Sequence, residues 1–254
     1  MQARREAEIV RVLRAGGPAT VEDLARTLSV SASTVRRDLA RLDARGTLQR
    51  VRGGAAIAAG AEDADRDLPF ERVVEHDVAD KRAVGARAAA MVRDGEVVLL
   101  DIGTTVVQLA RELVGRPVTV ITSSLAVLDV LRADPAVELI MLGGVLRPAY
   151  LSLVGLLTET ALGQVRADVA FLGTSGVRTG GEVLDSTRVE VQVKRSMIAA
   201  ADRCVLLADR HKFPGSGGLK VCDLSDLSAL VTNQGLPEAM VTTCRQAGIE
   251  VVYA

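Results

Sequence analysis

The chain has 254 residues, 48% of them apolar and 25% charged, enough to bury a core in one large domain or in a small domain joined to a medium one. Its longest apolar runs, EVVLLDI and VELIMLGGVL, are too short to span a bilayer, and MQARREAE lacks the apolar stretch of a secretory signal. The expectation is a protein of the cytoplasm with no membrane partner. The formal charge of −1 conceals an asymmetry, because residues 1–54 carry eleven arginines against six carboxylates and the remainder of the chain carries −6.

A basic N-terminal module points to a phosphate backbone, although arginine is favoured over lysine throughout the chain. Residues 3–14 place Ile9, Val10 and Leu13 at helical spacing, and AGGP then breaks the pattern. A second helix is announced by Thr20 with Asp23 three residues on, close to a capping box, and it carries Val21, Leu24, Ala25 and Leu28 on one side. After the turn SVS, Ser31 stands as N-cap of a third helix whose buried stripe is Val35, Leu39 and Leu42. At about 100° per residue that stripe leaves Ser33, Arg37 and Ala40 outward, flanked by Thr34, Arg36 and Arg41. Small side chains let a helix approach base edges while arginine forks onto guanine or phosphate, so this face suits a major groove; it equally suits an ordinary solvated helix.

The next segment decides between them. GTLQRVRGGAAI reads as a strand, a Gly53-Gly54 turn and a second strand, with Arg50 and Arg52 near the tip. Three helices and a basic hairpin make a winged helix-turn-helix. The expected contacts to double-stranded operator DNA are Ser31, Ser33, Thr34, Arg36, Arg37, Arg41, Arg50 and Arg52. VSASTVRRDLARLDARGTLQRVRGGA resembles the N-terminal signature of the DeoR family of bacterial transcription regulators, with its S-x-x-T-[IV]-R-R-D-L helix and R-x-x-G-G-A wing.

AIAAGAEDADRDLP, residues 56–69, is small, polar and without period, which gives an expected division into residues 1–57, a linker 58–75 and a second domain 76–254. Beyond the linker, helical stretches near 80–92, 105–114, 124–133, 188–202 and 237–247 alternate with apolar runs at 96–101, 118–122, 137–142, 168–173, 204–208, 228–232 and 249–253. That alternation predicts an α/β domain with a mainly parallel sheet. Ligands of such sheets sit beyond the carboxyl ends of the strands, where DIGTT, TSS, GGVLR, GTSG and ADRHKF all fall. Gly103, Thr104 and Thr105 offer backbone N–H groups and hydroxyls to an anion at a helix N-terminus, or simply make a tight turn. Arg147 is a phosphate clamp or a surface charge, and Lys212 a ligand contact or an ion-pair partner.

From about residue 76 onward the chain also resembles the DeoR-family sensor domain. The matching motifs are K-x-x-[IV]-[GA] at Lys81, D-x-G-T-T, G-G-x-x-R at Gly143–Arg147, D-x-A-F-x-G-x-x-G at Asp168–Gly176, E-x-x-x-K at Glu190–Lys194 and A-D-x-x-K-F at Ala208–Phe213. The resemblance implies a fold similar to ribose-5-phosphate isomerase and the CoA transferases, and a phosphorylated sugar or related metabolite as effector. The candidate effector residues are Asp101, Gly103, Thr104, Thr105, Ser123, Ser124, Arg147, Gly173, Gly176, Glu190, Lys194, Asp209 and Lys212. Two departures from the family pattern are Ser123, where T-N-S is common, and Asn233, where T-D is common.

Cys204, Cys222 and Cys244 have neither CxxC spacing nor an evident set of histidine ligands, so reduced, packed thiols are expected and no metal or cofactor. A rival class is a sugar-phosphate isomerase-like enzyme with a DNA-binding appendage, using Asp101, Asp168, Glu190, Lys194, Asp209, His211 or Lys212 as acid or base. The D-G-A-D element typical of that isomerase is missing around RADVAFLG, and a DNA-reading module has no part in turnover. An architectural DNA-binding protein without a ligand would leave the clustered loops unexplained. The sequence therefore reads as a homo-oligomeric transcriptional repressor, not an enzyme, whose effector alters the placement of its DNA-reading modules.

Overall fold

A computed structural model of the protein describes residues 5–6, 8–10, 12–13, 19–44, 48–51, 53–57, 70–74 and 76–254. The chain divides into two compact units, residues 1–68 and 69–254. Arg52 at the expected hairpin tip, and residues 58–69 and 75 of the expected linker, lie outside the described residues.

In the first unit a short strand β1 (Ala19–Thr20) leads into α1 (Val21–Thr27). A turn with Ser29 in the left-handed conformation leads on to α2 (Ala32–Ala44). Strands β2 (Leu48–Val51) and β3 (Gly54–Ile57) then form the hairpin. Ile9, Val10 and Leu13 pack with Val21, Leu24, Val35, Leu39, Leu42, Leu48 and Ala55 into one core, the stripe that helical spacing requires. Thr20 caps α1, its hydroxyl accepting from the Asp23 N–H at 3.1 Å and donating to the Asp23 carboxylate at 2.7 Å. Strand β1 is too short to show a period in sequence, and it pairs Ala19 with Ala55 on β3. That pairing explains the second glycine of the turn: Gly53 takes a φ of +81°, while a Cβ at Gly54 would lie 2.0 Å from the Ala19 carbonyl oxygen.

The second unit is built on a seven-stranded sheet in the order β15-β14-β12-β9-β4-β5-β6, every neighbouring pair parallel. Its strands are β4 (Val97–Leu100), β5 (Thr119–Thr122), β6 (Glu138–Met141), β9 (Ala167–Leu172), β12 (Ala201–Leu207), β14 (Ala229–Thr232) and β15 (Glu250–Tyr253). These are the seven apolar runs of the sequence. Side chains alternate between two cores: Val98, Leu100, Val120, Val169, Phe171 and Val231 face α4 (Val78–Ala89), α5 (Thr104–Glu112) and α6 (Leu125–Leu131). Leu99, Ile121, Ala170, Leu172 and Leu206 face α7 (Leu156–Leu162), α8 (Arg188–Ala199) and α9 (Glu238–Ala247). Cys204, Cys222 and Cys244 are buried free thiols within this second core, and burial raises Cys204 to about 11 and Cys222 to about 12. Among the described residues no helix is long and apolar enough to cross a membrane.

Several short elements escaped the periodicity. Phe70–Val74, within the stretch read as linker, forms helix α3, whose Phe70 is buried in the second unit's core; a lone aromatic among charged neighbours shows no period over five residues. Strands β7 (Val145–Arg147) and β8 (Ser152–Val154) form an antiparallel hairpin. Strands β10 (Gly176–Val177), β11 (Glu182–Asp185) and β13 (Leu219–Asp223) form a separate antiparallel sheet.

Candidate functional site

Strand order dictates where the second unit opens. The chain enters the sheet at β4, steps outward through β5 and β6, then returns to β9 on the other side of β4, so the order reverses between β4 and β9. Loops leaving the carboxyl ends of two such strands diverge and leave a crevice. Here the crevice is a solvent-open cleft lined by Gly103, Thr104 and Thr105 after β4 and by Gly173, Thr174 and Ser175 after β9. Asp185, Glu190 and Lys194 line it too, with Lys212, Tyr150, Val73, Ile102 and Leu207.

Helix α5 starts in this cleft with Gly103 as N-cap, in extended conformation and without a side-chain cap. Its first-turn N–H groups and positive dipole end therefore have no protein anion assigned to them. Among the described residues neither threonine hydroxyl is bonded to another protein group, and no carboxylate pairs with Lys212. One side of the cleft thus presents donors and positive charge.

The other side is anionic and balanced internally. Lys194 is buried and donates to the Asp101 carboxylate and to the Gly173 carbonyl at 3.0 Å, with Asp185 at 3.5 Å. Asp101 also accepts the Gly173 N–H at 2.8 Å, which ties the ends of β4 and β9 together. Burial alone would lower the Lys194 ammonium, but the carboxylates of Asp101, Asp185 and Glu190 outweigh it and hold the group above the ordinary lysine value. Glu190 is paired with Arg147, whose guanidinium lies over the Tyr150 ring at 5.4 Å. Burial and the neighbouring Asp185 carboxylate nevertheless push Glu190 up to about 8, against the pull of Lys194 and Arg147.

Seven of the expected effector residues line this cleft: Gly103, Thr104, Thr105, Gly173, Glu190, Lys194 and Lys212. Asp101 stands behind them as partner of Lys194, and Arg147 reaches the rim through Glu190 and Tyr150. Four are placed elsewhere. Ser123 and Ser124 are buried beneath β8, where Ser124 caps α6 by accepting from the Val127 N–H at 3.2 Å and the Ser123 carbonyl accepts from the Leu153 N–H. Gly176 meets the loop at Gly215 so closely that a Cβ would lie 2.4 Å from that backbone, which accounts for the glycine without a ligand. Asp209 is buried and holds its own loop, accepting from the His211 N–H at 3.0 Å.

The same loop explains Asn233, whose amide donates to the Asp80 carbonyl at 3.1 Å and accepts from the Arg210 N–H at 3.2 Å. Of the two departures from the family pattern, Asn233 is thus used in internal bonding through its side chain, while Ser123 is bonded through its backbone carbonyl. Lys81 donates to the carbonyls of Val73 and His76 and so fastens the segment that brings Val73 to the cleft. Of the proposed general bases, Asp168 lies at the opposite end of β9, accepting from the Val97 N–H, and His211 faces Asp77 and Asp80. Sequence reasoning missed Asp185, although a carboxylate closing the apolar strand EVLD was a usable signal, and missed Tyr150.

In the first unit, Ser31, Ser33, Arg36, Arg37 and Ala40 are exposed and Thr34 half-buried, so α2 presents the outward face expected of it. Ser31 accepts from the Thr34 N–H at 3.2 Å, as an N-cap does. Among the described residues Arg36 makes a 3.6 Å exposed contact with Glu22, a weak pair that leaves it available to a stronger anion. Arg50 is exposed on β2. Arg41 differs: its guanidinium is turned to Glu6 and to the fully buried Asp38, which Arg5 also grips at 2.5 Å. Burial works to raise the Asp38 carboxyl, and the two arginines overcome it and hold it below its ordinary value. Asp38 sits on the apolar stripe between Val35 and Leu39, a position where helical spacing alone marks a carboxylate as buried.

A family model described as the DeoR-like helix-turn-helix domain matches residues 5–60, and one described as the DeoR C terminal sensor domain matches residues 76–234. The glycerol-3-phosphate regulon repressor of Haemophilus influenzae is 30% identical over 252 residues, covering 99% of this chain and 96% of that protein. The L-fucose operon activator of the same organism is 28% identical, covering 98% of each. The HTH-type transcriptional repressor CsqR of Escherichia coli is 27% identical, covering 98% and 94%. Among solved structures, ribose 5-phosphate isomerase A from Methanocaldococcus jannaschii aligns at a TM-score of 0.39 and 20% identity over 52% of this chain and 53% of that one. The eIF2B beta subunit from Chaetomium thermophilum aligns at 0.44 and 14% over 82% and 56%. The chain therefore spans about half the length of these two structures.

Proposed function

We propose how this chain, which belongs to the DeoR family of transcriptional regulators, works: α2 and the hairpin hold double-stranded operator DNA, and a phosphorylated sugar or similar metabolite bound in the cleft weakens that hold. The observation that carries the ligand reading is the uncapped start of α5 at Gly103–Thr105, facing the same cleft as Lys212. A phosphate there receives backbone N–H groups, two hydroxyls and a cation, each charge-assisted bond contributing about 1.5–3 kcal/mol. The rest of a sugar then meets Asp185, Glu190 and Tyr150, whose polar atoms suit hydroxyl groups. Relatives named for glycerol-3-phosphate and fucose regulation support the ligand class, and two of the three named relatives are repressors. The protein acts where its DNA is, in the cytoplasm, as a homo-oligomer.

A screen of phosphorylated against unphosphorylated sugars by thermal shift tests the ligand reading directly. A phosphorylated compound at a hundredfold excess over its Kd stabilises by about 2.7 kcal/mol. Its unphosphorylated counterpart gives no shift, and equal shifts from the pair would remove the anion site from the cleft.

One observation favours an enzyme: a carboxyl raised to about 8 beside a buried lysine is a composition found at acid–base centres. In this cleft Lys194 is consumed by Asp101 and the Gly173 carbonyl, and Glu190 by Arg147. The expected outcome is no turnover of pentose or hexose phosphates by the purified protein. A sustained isomerisation rate that is lost in Glu190→Gln would replace the sensor by an enzyme.

On the DNA side, Arg37→Ala is expected to cost roughly 1–3 kcal/mol of operator affinity if it reads a base. Arg36→Ala is expected to weaken operator and unrelated DNA alike and to reduce the salt dependence of binding. Wild-type affinity in both variants at fixed salt would take α2 out of the interface.

A further inference from the structure

The cleft touches the stretch of chain that leads in from the first unit. Val73 of α3 lines it, and α3 is the first described element after β3. Phe70 anchors the start of α3 in the core. Between α3 and α4 the backbone passes through Asp77 in the left-handed conformation, φ +51°, which sets the direction in which α3 leaves α4. The buried Lys81 ammonium then fastens that corner, donating to the carbonyls of Val73 at 2.6 Å and His76 at 2.7 Å.

The cleft cation Lys212 is tied to the same stretch. It closes the turn Arg210–Lys212, and the two residues before it face α4. The Arg210 guanidinium reaches the Asp80 carboxylate at 2.8 Å, and the His211 ring lies 3.7 Å from Asp80 and 3.5 Å from Asp77. Asn233 joins the two backbones, donating to the Asp80 carbonyl and accepting from the Arg210 N–H. The Lys212 turn therefore rests on Asp80, whose own side chain does not line the cleft. Asp80 is half-buried and Arg210 exposed, and a pair of that kind adds little to folding, so its use is to set position.

Charge couples the two attachments. Burial lowers the Lys81 ammonium, Asp209 opposes that shift and the like charge of Lys212 adds to it. An anion at Lys212 offsets the repulsion and so favours the charged Lys81 that holds Val73 and His76. The anion thus binds the fastened arrangement of residues 70–81 better than a loosened one, which is the condition for a ligand to shift an equilibrium.

We propose that Asp80 is a positioning residue that couples the anion in the cleft to residues 70–81, so that occupancy at Lys212 tightens the stretch next to the linker. The inference rests on the anion reading of the cleft and adds the route by which occupancy leaves it.

Hydrogen exchange of the full chain by mass spectrometry tests it, with inorganic phosphate as the probe and chloride holding ionic strength constant. Peptides over residues 103–110 report occupancy at the start of α5, and peptides over 70–81 report the coupling. In wild type both are expected to exchange about tenfold more slowly once phosphate stands at about ten times its Kd. D80A is expected to keep the slowing at 103–110 and to lose most of it at 70–81, a split that a general loss of structure does not produce. Should D80A lose the wild-type far-UV circular dichroism, R210A, which removes an exposed side chain, takes its place with the same expected direction. Slowing confined to 103–110 in wild type, or a variant that slows at both places as wild type does, overturns the coupling and leaves the anion site standing. No slowing at 103–110 in wild type removes the anion site and the coupling with it.

Discussion

The Lys194→Met protein is expected to lose about 3–5 kcal/mol of stability in its α/β unit, the consequence of leaving Asp101 and Asp185 buried without their cation. Methionine approximates the length of the lysine stem, so the loss reports charge and hydrogen bonding more than packing. For a unit of this size, each kcal/mol moves the melting temperature by roughly 2–4 °C, which puts the expected fall near 10 °C by calorimetry. The ends of β4 and β9 also lose their shared partner, because Lys194 bridges Asp101 and the Gly173 carbonyl. A fall of less than about 1 kcal/mol would mean that the pair is wet and dispensable.

Glu190 supplies the pH dependence of the same unit. Its folded value, about 8, lies above the 4.5 of an unperturbed glutamate, so the folded state holds the proton more tightly. Its contribution to stability is complete below about pH 4.5 and is lost as the pH rises through 8. Glu190→Gln should flatten melting temperature against pH across that window.

The second large effect lies in the reader unit. Asp38→Asn removes the charge that Arg5 and Arg41 share, leaving Arg5 facing a neutral amide and, among the described residues, Arg41 with Glu6 alone. Because the Asp38 side chain is fully buried, a loss of about 3 kcal/mol is expected. Arg5 and Arg41 both reach this carboxylate, Arg41 keeping Glu6 as well, so α2 is expected to loosen from the helical residues around Arg5 and operator binding to fall with it. The chain has no tryptophan to report this, and hydrogen exchange of the α1–α2 amides is the suitable measurement. Asp38 is held below its ordinary value, so its stabilisation is present at neutral pH and disappears as the pH falls below about 4. Unchanged protection in Asp38→Asn would show that the apolar core alone fixes the unit.

These two lysine and aspartate positions show how far the sequence could be read. The seven strands of the main sheet were legible because runs such as VVLLDI and ADVAFLG are long, apolar and β-branched, and buried parallel strands need that composition. The start of α5 was legible because glycine followed by two threonines gives both the turn and the donors. The hairpin β7–β8 was not legible, since strands of three residues show no period, and with it went the cover over Ser123 and Ser124. Both serines sit at a strand end, as ligand-binding residues do, and only the long-range fold of β8 across them removes them from the cleft. Asp185 was overlooked because its strand belongs to a small antiparallel sheet whose partner, β13, is far along the chain. The motif position of Gly176 carries no sign of the Gly215 loop, whose backbone approaches so closely that a Cβ has no room.

On the proposed function, an anion at the start of α5 governs how tightly α2 holds DNA. Fluorescence anisotropy of a labelled operator duplex, titrated with wild type and with T104V/T105V in the presence and absence of the stabilising phosphorylated sugar, tests it most directly. The double variant removes two hydroxyls at nearly constant size and adds no charge. The ligand is expected to shift wild-type operator affinity about 5- to 150-fold, the usual range of coupling between sites. T104V/T105V is expected to bind the operator as wild type does without ligand and to stay bound when the ligand is added. Operator affinity indifferent to the ligand in wild type, or a normal response in T104V/T105V, would contradict it.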